Sequence, residues 1–239
     1  MPNRPKAWLA WSSGKDSAWA LHTLRRAGEF DVVALLTTIN ATHARVAMHA
    51  VRESLLREQA RAAGLPLVTV EIPSPCPNDV YERAMAVAME RARAEGVTHV
   101  AFGDLFLEDI RRYREDHLAN SGIAPVFPIW QRDTSALAQE MLAAGLRAVI
   151  TCVDPSRLSS EFAGRIWNED FVASLPEGVD PCGENGEFHS FAFAGPMFRE
   201  PLRVRVGEIV ERDGFVFADV FSEDAMSNSR EIADAAPLR

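Results

Sequence analysis

The sequence is poor in the features that mark most specialised protein classes. It has only three cysteines, Cys76, Cys152 and Cys182, far apart and with no C-x-x-C among them. That pattern suggests neither a disulfide framework nor a structural zinc site, and it fits a reducing, cytoplasmic setting. No apolar run is long enough to span a bilayer, and the N-terminus carries no long apolar stretch, so neither a membrane span nor a leader is expected. Positive charge is in deficit, with Lys+Arg 25 against Asp+Glu 34 and a net charge of −9. A broad nucleic-acid surface is therefore not expected. Internal repeats and low-complexity tracts are absent. What remains is an ordinary globular composition: 239 residues, 47% hydrophobic and 25% charged. That is enough chain for one or two domains of roughly 150 residues, with a core that needs no disulfides.

The first half alternates short apolar runs with helical patterns. Strands are predicted over 7–11, 31–38, 66–72, 97–102 and 126–130. Helices are predicted over 15–27, 48–63, 79–95 and 108–121, most of them followed by a glycine stop. Asp79 with Glu82 three residues later has the arrangement of a capping box. Strands alternating with helices imply right-handed βαβ units and a mostly parallel sheet, and their continuous apolar character suits a sheet covered on both faces. After Trp130 the pattern loosens: a helix over 135–144, a strand over 146–153, a helix near 161–168 and a strand over 187–193. Runs over 202–211 and 215–221 then flank Asp213-Gly214, a hairpin signal. The expected organisation is an N-terminal domain over 1–130, a smaller α+β domain over 131–222, and a tail over 223–239.

The loop after the first strand is Ser12-Ser13-Gly14-Lys15-Asp16-Ser17. It is not a Walker A loop, since Leu9 stands where the first glycine of that motif belongs. Its physics is nonetheless that of an anion site: a tight turn and a helix N-terminus, three hydroxyls, a lysine, and a glycine that admits a phosphate closely. Asp16 would repel a bare phosphate, which points to a bridging Mg²⁺. A capped turn with a solvated Lys15 is the plain alternative. Position favours the ligand reading, because open α/β sheets bind ligands beyond the carboxyl ends of their strands. Thr37 to Asn40, Gly103-Asp104, and Asp154 with Ser156 fall at those ends.

With these residues in place the chain resembles the PP-loop ATP pyrophosphatases. WSSGKDS, LLTTIN, the region around His49 and Arg52, FGDLFLEDIRRYRE, FPIW and DPCGENGEFHSF come in the order found in the diphthine–ammonia ligase family. The resemblance runs from about Ala7 to Phe221. It implies a Rossmann-like, doubly wound parallel sheet of the adenine nucleotide α-hydrolase type with a smaller C-terminal α+β domain. It also implies a ligase that uses ATP and Mg²⁺, adenylates a small-molecule or protein carboxylate, and amidates it with ammonia, releasing AMP and pyrophosphate. On that resemblance Ser12, Ser13, Gly14, Lys15, Asp16 and Ser17 hold the phosphates. Asp16 places the metal through pyrophosphate, and Thr37 and Asn40 lie near the adenosine. Gly103, Asp104, Glu184, Asn185 and Glu187 are the substrate-binding candidates, and Lys15, Glu187 and His189 the catalytic ones.

The C-terminal motif departs from the family's E-G-G-E-[FY]-E at two places, Asn185 and His189, and resembles a bacterial branch. If 185–189 is a strand, Asn185, Glu187 and His189 share one face, with His189 titrating near neutral pH. A metal set of Cys182, Glu184 and His189 fits no standard zinc spacing. Arg111, Arg112 and Arg114 read first as a salt-bridged helix face from which one arginine could reach an anion. Trp8, Trp11 and Trp19 read as core, and Cys152 as an inert buried thiol. Two other readings stand beside the ligase: a tRNA-modifying PP-loop enzyme, against which the acidic balance weighs, and a non-catalytic ATP- or AMP-binding regulator, which would not need Lys15 and Asp16. Homo-oligomerisation is left open.

Overall fold

A computed structural model describes residues 4–40, 45–46 and 51–223. The first sheet contains β1 (Lys6–Ala10), β2 (Asp31–Asn40), β3 (Arg45–Val46), β4 (Leu67–Ile72), β5 (Val97–Ala101) and β6 (Ala124–Val126). Five of these run parallel in the order β4-β2-β1-β5-β6, and β3 pairs antiparallel with the end of β2. Chain progress reverses at β1, whose neighbours are β2 on one side and β5 on the other. The crevice beyond the carboxyl ends of β1 and β5 is thus the switch point where such sheets bind ligands.

Alternation along the strands divides the sheet's two faces. Leu9, Leu35 and Ile39 face α1 (Lys15–Ala27) and α2 (Glu53–Ala63). Trp8, Ala34 and Leu36 face the opposite layer, where Met89 and Ala92 of α3 (Asn78–Ala94) and Leu118 of α4 (Glu108–Leu118) close a second cluster. The sheet is doubly wound, as its apolar strands imply.

The second sheet is antiparallel: β7 (Arg147–Val153) lies between β9 (Phe188–Ala194) on one side and, on the other, β8 (Ile166–Trp167) and β11 (Phe215–Ser222) in tandem, with β10 (Val204–Arg212) outermost. Asp213 and Gly214 both take left-handed backbone (φ 54° and 80°), as a type I′ hairpin requires. Around this sheet stand α5 (Thr134–Ala143), capped by Asp133, and α6 (Glu169–Ala173), capped by Asn168.

Several expected boundaries are corrected. Pro128 has no N–H to donate, so the strand near 126–130 ends at Val126 and residues 128–130 turn. Asp79 does not cap α3: the helix starts one residue earlier, after Pro77, and Asp79 pairs instead with Arg83 at 2.8 Å. Gly164, at φ 78°, breaks the helix expected near 161–168 into a single 3-10 turn, β8 and α6. Among the described residues α2 starts at Glu53, with Arg52 extended before it. Residues 48–50 of its expected span, including His49, lie outside the described residues, as do 224–239 of the expected tail.

One apolar cluster joins both sheets: Trp11, Trp19, Leu21 and Leu55 pack with Val149, Phe191, Ala192 and Trp167. At its polar centre is Gln59, fully buried, which accepts from Trp11 Nε1 (2.9 Å) and donates to the carbonyls of Ser13 (2.9 Å) and Ala192 (2.6 Å). Replacing Gln59 by leucine removes the partner of Trp11 Nε1 and a donor from each of the Ser13 and Ala192 carbonyls, leaving Ser13 only its bond from Ala192 N. The expected loss is about 2–4 kcal/mol of unfolding free energy, read by urea denaturation. A variant as stable as the parent would show that Gln59 does not clamp the sheets together.

Candidate active site

The loop that leaves β1 is held from three directions. Trp11 N donates to Leu36 (2.7 Å), and the Thr37 hydroxyl donates to the Trp11 carbonyl (2.6 Å). Ser13 adopts a left-handed backbone (φ 72°), uncommon for a residue with a side chain. Its carbonyl is engaged by Ala192 N (2.9 Å) and Gln59, while its own buried hydroxyl has no hydrogen-bond partner. The Ser12 hydroxyl donates to Ser17 Oγ (3.1 Å) and accepts from Gly14 N (3.3 Å), and Ser17 Oγ donates to the Gly14 carbonyl (3.0 Å). Helix α1 then begins at Lys15. Thr37 is therefore a prop for the loop. Asn40 sits at the far end of β2, beside Arg45 and Ile72.

Lys15 is 1% exposed, which corrects the solvated side chain of the capped-turn reading. Its ammonium donates to both carboxylate oxygens of Asp16 (2.9 Å each) and to the Cys182 carbonyl. It also stands 5.5 Å from the Phe188 ring centre and 5.9 Å from that of Trp167. Its backbone N–H donates to Ser190 Oγ (3.3 Å). Burial works against the charge, but Asp16 and Glu184 outweigh it and hold the pKa above the ordinary value. Lys15 stays an ammonium.

The 180–190 segment is what closes over Lys15. Glu187 is buried, and its Oε1 accepts from Asp180 N (3.0 Å) and Asn185 Nδ2 (3.2 Å). Asp180 Oδ1 accepts from Cys182 N (2.8 Å), and burial raises the Asp180 pKa. These bonds fold the turn that presents the Cys182 carbonyl to Lys15, so Glu187 is in this geometry a positioning residue. Strand β9 starts only at Phe188. Asn185 and Glu187 precede it, and the shared strand face expected for Asn185, Glu187 and His189 does not form. His189 lies on β9 opposite Cys152. Burial, with the charge of Lys15 added, lowers its pKa, so the imidazole is neutral at pH 7 rather than poised there.

Glu184 is the acidic group turned to the loop. Its Oε1 accepts from Leu105 N at 2.8 Å, which ties the C-terminal motif to the end of β5. Burial, then the negative charges of Asp16 and Asp104, push its pKa up to about 7. Asp104 is likewise raised, first by burial, against the pull of Arg114, whose Nε lies 3.6 Å from Asp104 Oδ2. Gly103 serves packing: a β-carbon there would lie 2.9 Å from Ser17 N and 3.0 Å from the Asp16 carbonyl carbon, so only glycine lets β5 end against the start of α1.

Lys15, Asp16, Asp104, Glu184 and His189 thus converge, while Asn40 stays at the end of β2. Cys182, Glu184 and His189 do not form a metal set: among the described residues no group of three or more His, Cys, Asp and Glu is placed to hold a metal ion. Burial also raises the thiols of Cys152, to about 11, and Cys182, so neither is reactive. Sequence reasoning missed Gln59, Asp180, Ser190 and the role of Arg114. One signal was readable for Lys15: the basic residues include just two lysines, Lys6 and Lys15. Where arginine is the rule, a compact ammonium marks a site that needs a point charge.

A family model described as the diphthamide synthase N-terminal domain matches residues 5–124, and one described as the diphthamide synthase C-terminal domain matches residues 133–220. A rat protein named diphthine–ammonia ligase is 29% identical over 148 residues, 59% of this chain and 54% of its own length. The zebrafish protein of that name is 28% identical over 231 residues, 87% of this chain and 90% of its own. The fission-yeast one is 25% identical over 138 residues, 22% of its length. The chain spans about half the length of the mammalian relatives it matches.

The raised pKa of Glu184 carries a sign. The folded state binds its proton more tightly than the unfolded one, so stability falls as pH rises from the ordinary 4.5 to about 7. Glu184→Gln should flatten that slope, read as urea midpoints across pH 4–8, and carboxyl NMR should lose one titration near neutrality. An unchanged slope would remove Glu184 from the charged cluster.

Proposed function

The chain belongs to the diphthamide synthase family, and from that premise we propose that it is an ATP-dependent amide ligase. It adenylates a carboxylate and transfers the acyl group to ammonia. The carboxylate oxygen attacks the α-phosphorus, the bond to the bridging oxygen breaks, and pyrophosphate leaves. Ammonia then attacks the acyl carbon, AMP leaves, and the nitrogen gives up a proton. The observation that carries this reading is a buried lysine ammonium beside Asp16, at the switch point of a doubly wound sheet, with Glu184 facing it from the C-terminal half.

In this reading Lys15 stabilises the charge that grows on the departing pyrophosphate, as a preorganised, desolvated cation does best. The unpartnered Ser13 hydroxyl, with Ser12 and Ser17, offers donors to phosphate oxygens. Mg²⁺ fits as a companion of the nucleotide: Asp16 is the loop carboxylate to share it, and magnesium is commonly held by one or two carboxylates plus phosphates. It would supply further neutralisation of the phosphates. Glu184 is suited to accept the proton from nitrogen, since a carboxylate titrating near 7 is half available as base at neutral pH. Neutral His189 is the other acceptor within this wall.

The curated relatives are named for diphthine and ammonia, and we propose a carboxylate of similar kind here. No helix among the described residues is long and apolar enough to cross a membrane, and we place the reaction in the cytoplasm.

Incubation with Mg-ATP, ammonium and a diphthine-bearing acceptor should yield AMP and pyrophosphate on nucleotide chromatography. ADP and phosphate as the only products would sink the reading. Lys15→Met should lower AMP formation by about 100-fold or more, the scale of losing one charge-stabilising group. Because Lys15 is buried, its removal leaves Asp16 and the Cys182 carbonyl without their cation. The measurement therefore needs a folded-fraction check by circular dichroism alongside the rate. Full turnover in the folded variant would exclude the assigned role.

A further inference from the structure

Between α3 and α4, on the face of the parallel sheet away from α1, lies a cavity of about 480 Å³. Its walls include Tyr81, Met85 and Met89 from α3, Phe102 from the end of β5, and Tyr113 and Arg114 from α4. The volume is that of a small-molecule site, and nothing in the phosphate loop's chemistry uses it.

Arg114 is the group the cavity shares with the loop. Its guanidinium carbon lies 5.0 Å from the Phe102 ring centre and 6.0 Å from that of Tyr113. These ring contacts hold the cation at the wall and leave its N–H edge for polar partners. That edge is loosely engaged: Nε forms an ion pair with Asp104 Oδ2 at 3.6 Å, too long for a hydrogen bond, and both buried atoms lack a hydrogen-bond partner. The lining is mostly apolar but also carries Glu82, Glu90 and Asp116 against Arg93 and Arg114; the buried Arg114 Nε–H, without a hydrogen-bond partner, is the donor that matches a carboxylate. Asp104 follows Gly103, which packs against Asp16 and Ser17 of the loop, so an anion held by Arg114 lies next to that loop. Across the chamber, His117 Nε2 meets Glu82 Oε1 at 3.2 Å, which links the two helices.

We propose that this cavity is the acceptor pocket, taking an apolar-bodied carboxylic acid whose carboxylate is held by Arg114 beside Asp104. The assignment of the occupant as acceptor rests on the ligase reading above. A carboxylate placed there lies beside the Ser12–Ser17 loop, and the apolar part of the lining takes the rest of the molecule.

The test uses the full chain and two probes that differ only in charge, 4-phenylbutyrate and 4-phenylbutanol, with Kd measured by titration calorimetry. The acid is expected to bind about tenfold or more tightly than the alcohol, the scale of a charge-assisted contact. Arg114→Gln should erase that difference. Met85→Trp, which fills the chamber, should abolish binding of both probes and leave Mg-ATP binding unchanged. Equal affinity of the two probes, an acid affinity untouched by Arg114→Gln, binding that survives Met85→Trp, or no binding of either probe would each overturn the proposal. Failure of the parent protein to bind Mg-ATP would sink the ligase reading separately, since the acid–alcohol comparison does not involve nucleotide.

Discussion

A lysine ammonium taken out of water loses several kcal/mol of hydration unless partners replace the solvent, and Lys15 is supplied with them from both halves of the chain. Asp16 comes from its own helix turn, the Cys182 carbonyl from the C-terminal segment, and the faces of Phe188 and Trp167 from the antiparallel sheet. None of these partners is useful unless the two sheets are joined. The continuous apolar cluster, the Gln59 clamp and the Ser13–Ala192 backbone bond accomplish that joining. The Ser12–Ser17 loop is thus a seam between sheets as much as a loop on one.

The seam also explains the strain and the orphaned polar atoms. Ser13 holds a left-handed backbone because its carbonyl must meet both Gln59 and Ala192, and its hydroxyl is left buried and unpartnered. Gly103 has no side chain because β5 ends in contact with the first turn of α1. Strain of this kind persists only where the surroundings over-determine it. It collects at the ends of β1 and β5, where the strand order leaves a crevice.

Much of this was legible in the chain. Alternating apolar runs and helical patterns gave the doubly wound sheet, Asp213-Gly214 gave the hairpin, and Ser12–Ser17 gave the loop, since each depends on local periodicity or local backbone chemistry. What was not legible depends on distant partners. Lys15 reads as a solvated loop residue until a segment some 170 positions away covers it. Glu187 and Asn185 read as strand residues on a shared face, but a buried carboxylate that accepts two N–H donors folds them into a turn first. Asp79 reads as a cap, but Pro77 sets the helix start before it. His189 reads as a neutral-pH titrating group until its burial and the nearby lysine charge are known.

Charge at the seam constrains what can bind there. Lys15 and Arg114 bring two positive charges to three carboxylates, Asp16, Asp104 and Glu184, and the mutual repulsion of the acids contributes to the raised pKa values of Asp104 and Glu184. A polyanionic nucleotide, the ligand proposed above, would add to that repulsion. Under the proposed function its arrival would be compensated by a divalent cation sharing Asp16, by proton uptake on Glu184, or by both, because uncompensated like charges in a partly desolvated site cost several kcal/mol. The two routes pull Glu184 in opposite directions. Cation binding would favour its ionised form, the one that accepts a proton in the proposed reaction, whereas nucleotide alone would favour the protonated form. In the proposed reaction these charges would therefore set whether Glu184 is ready for the amidation step.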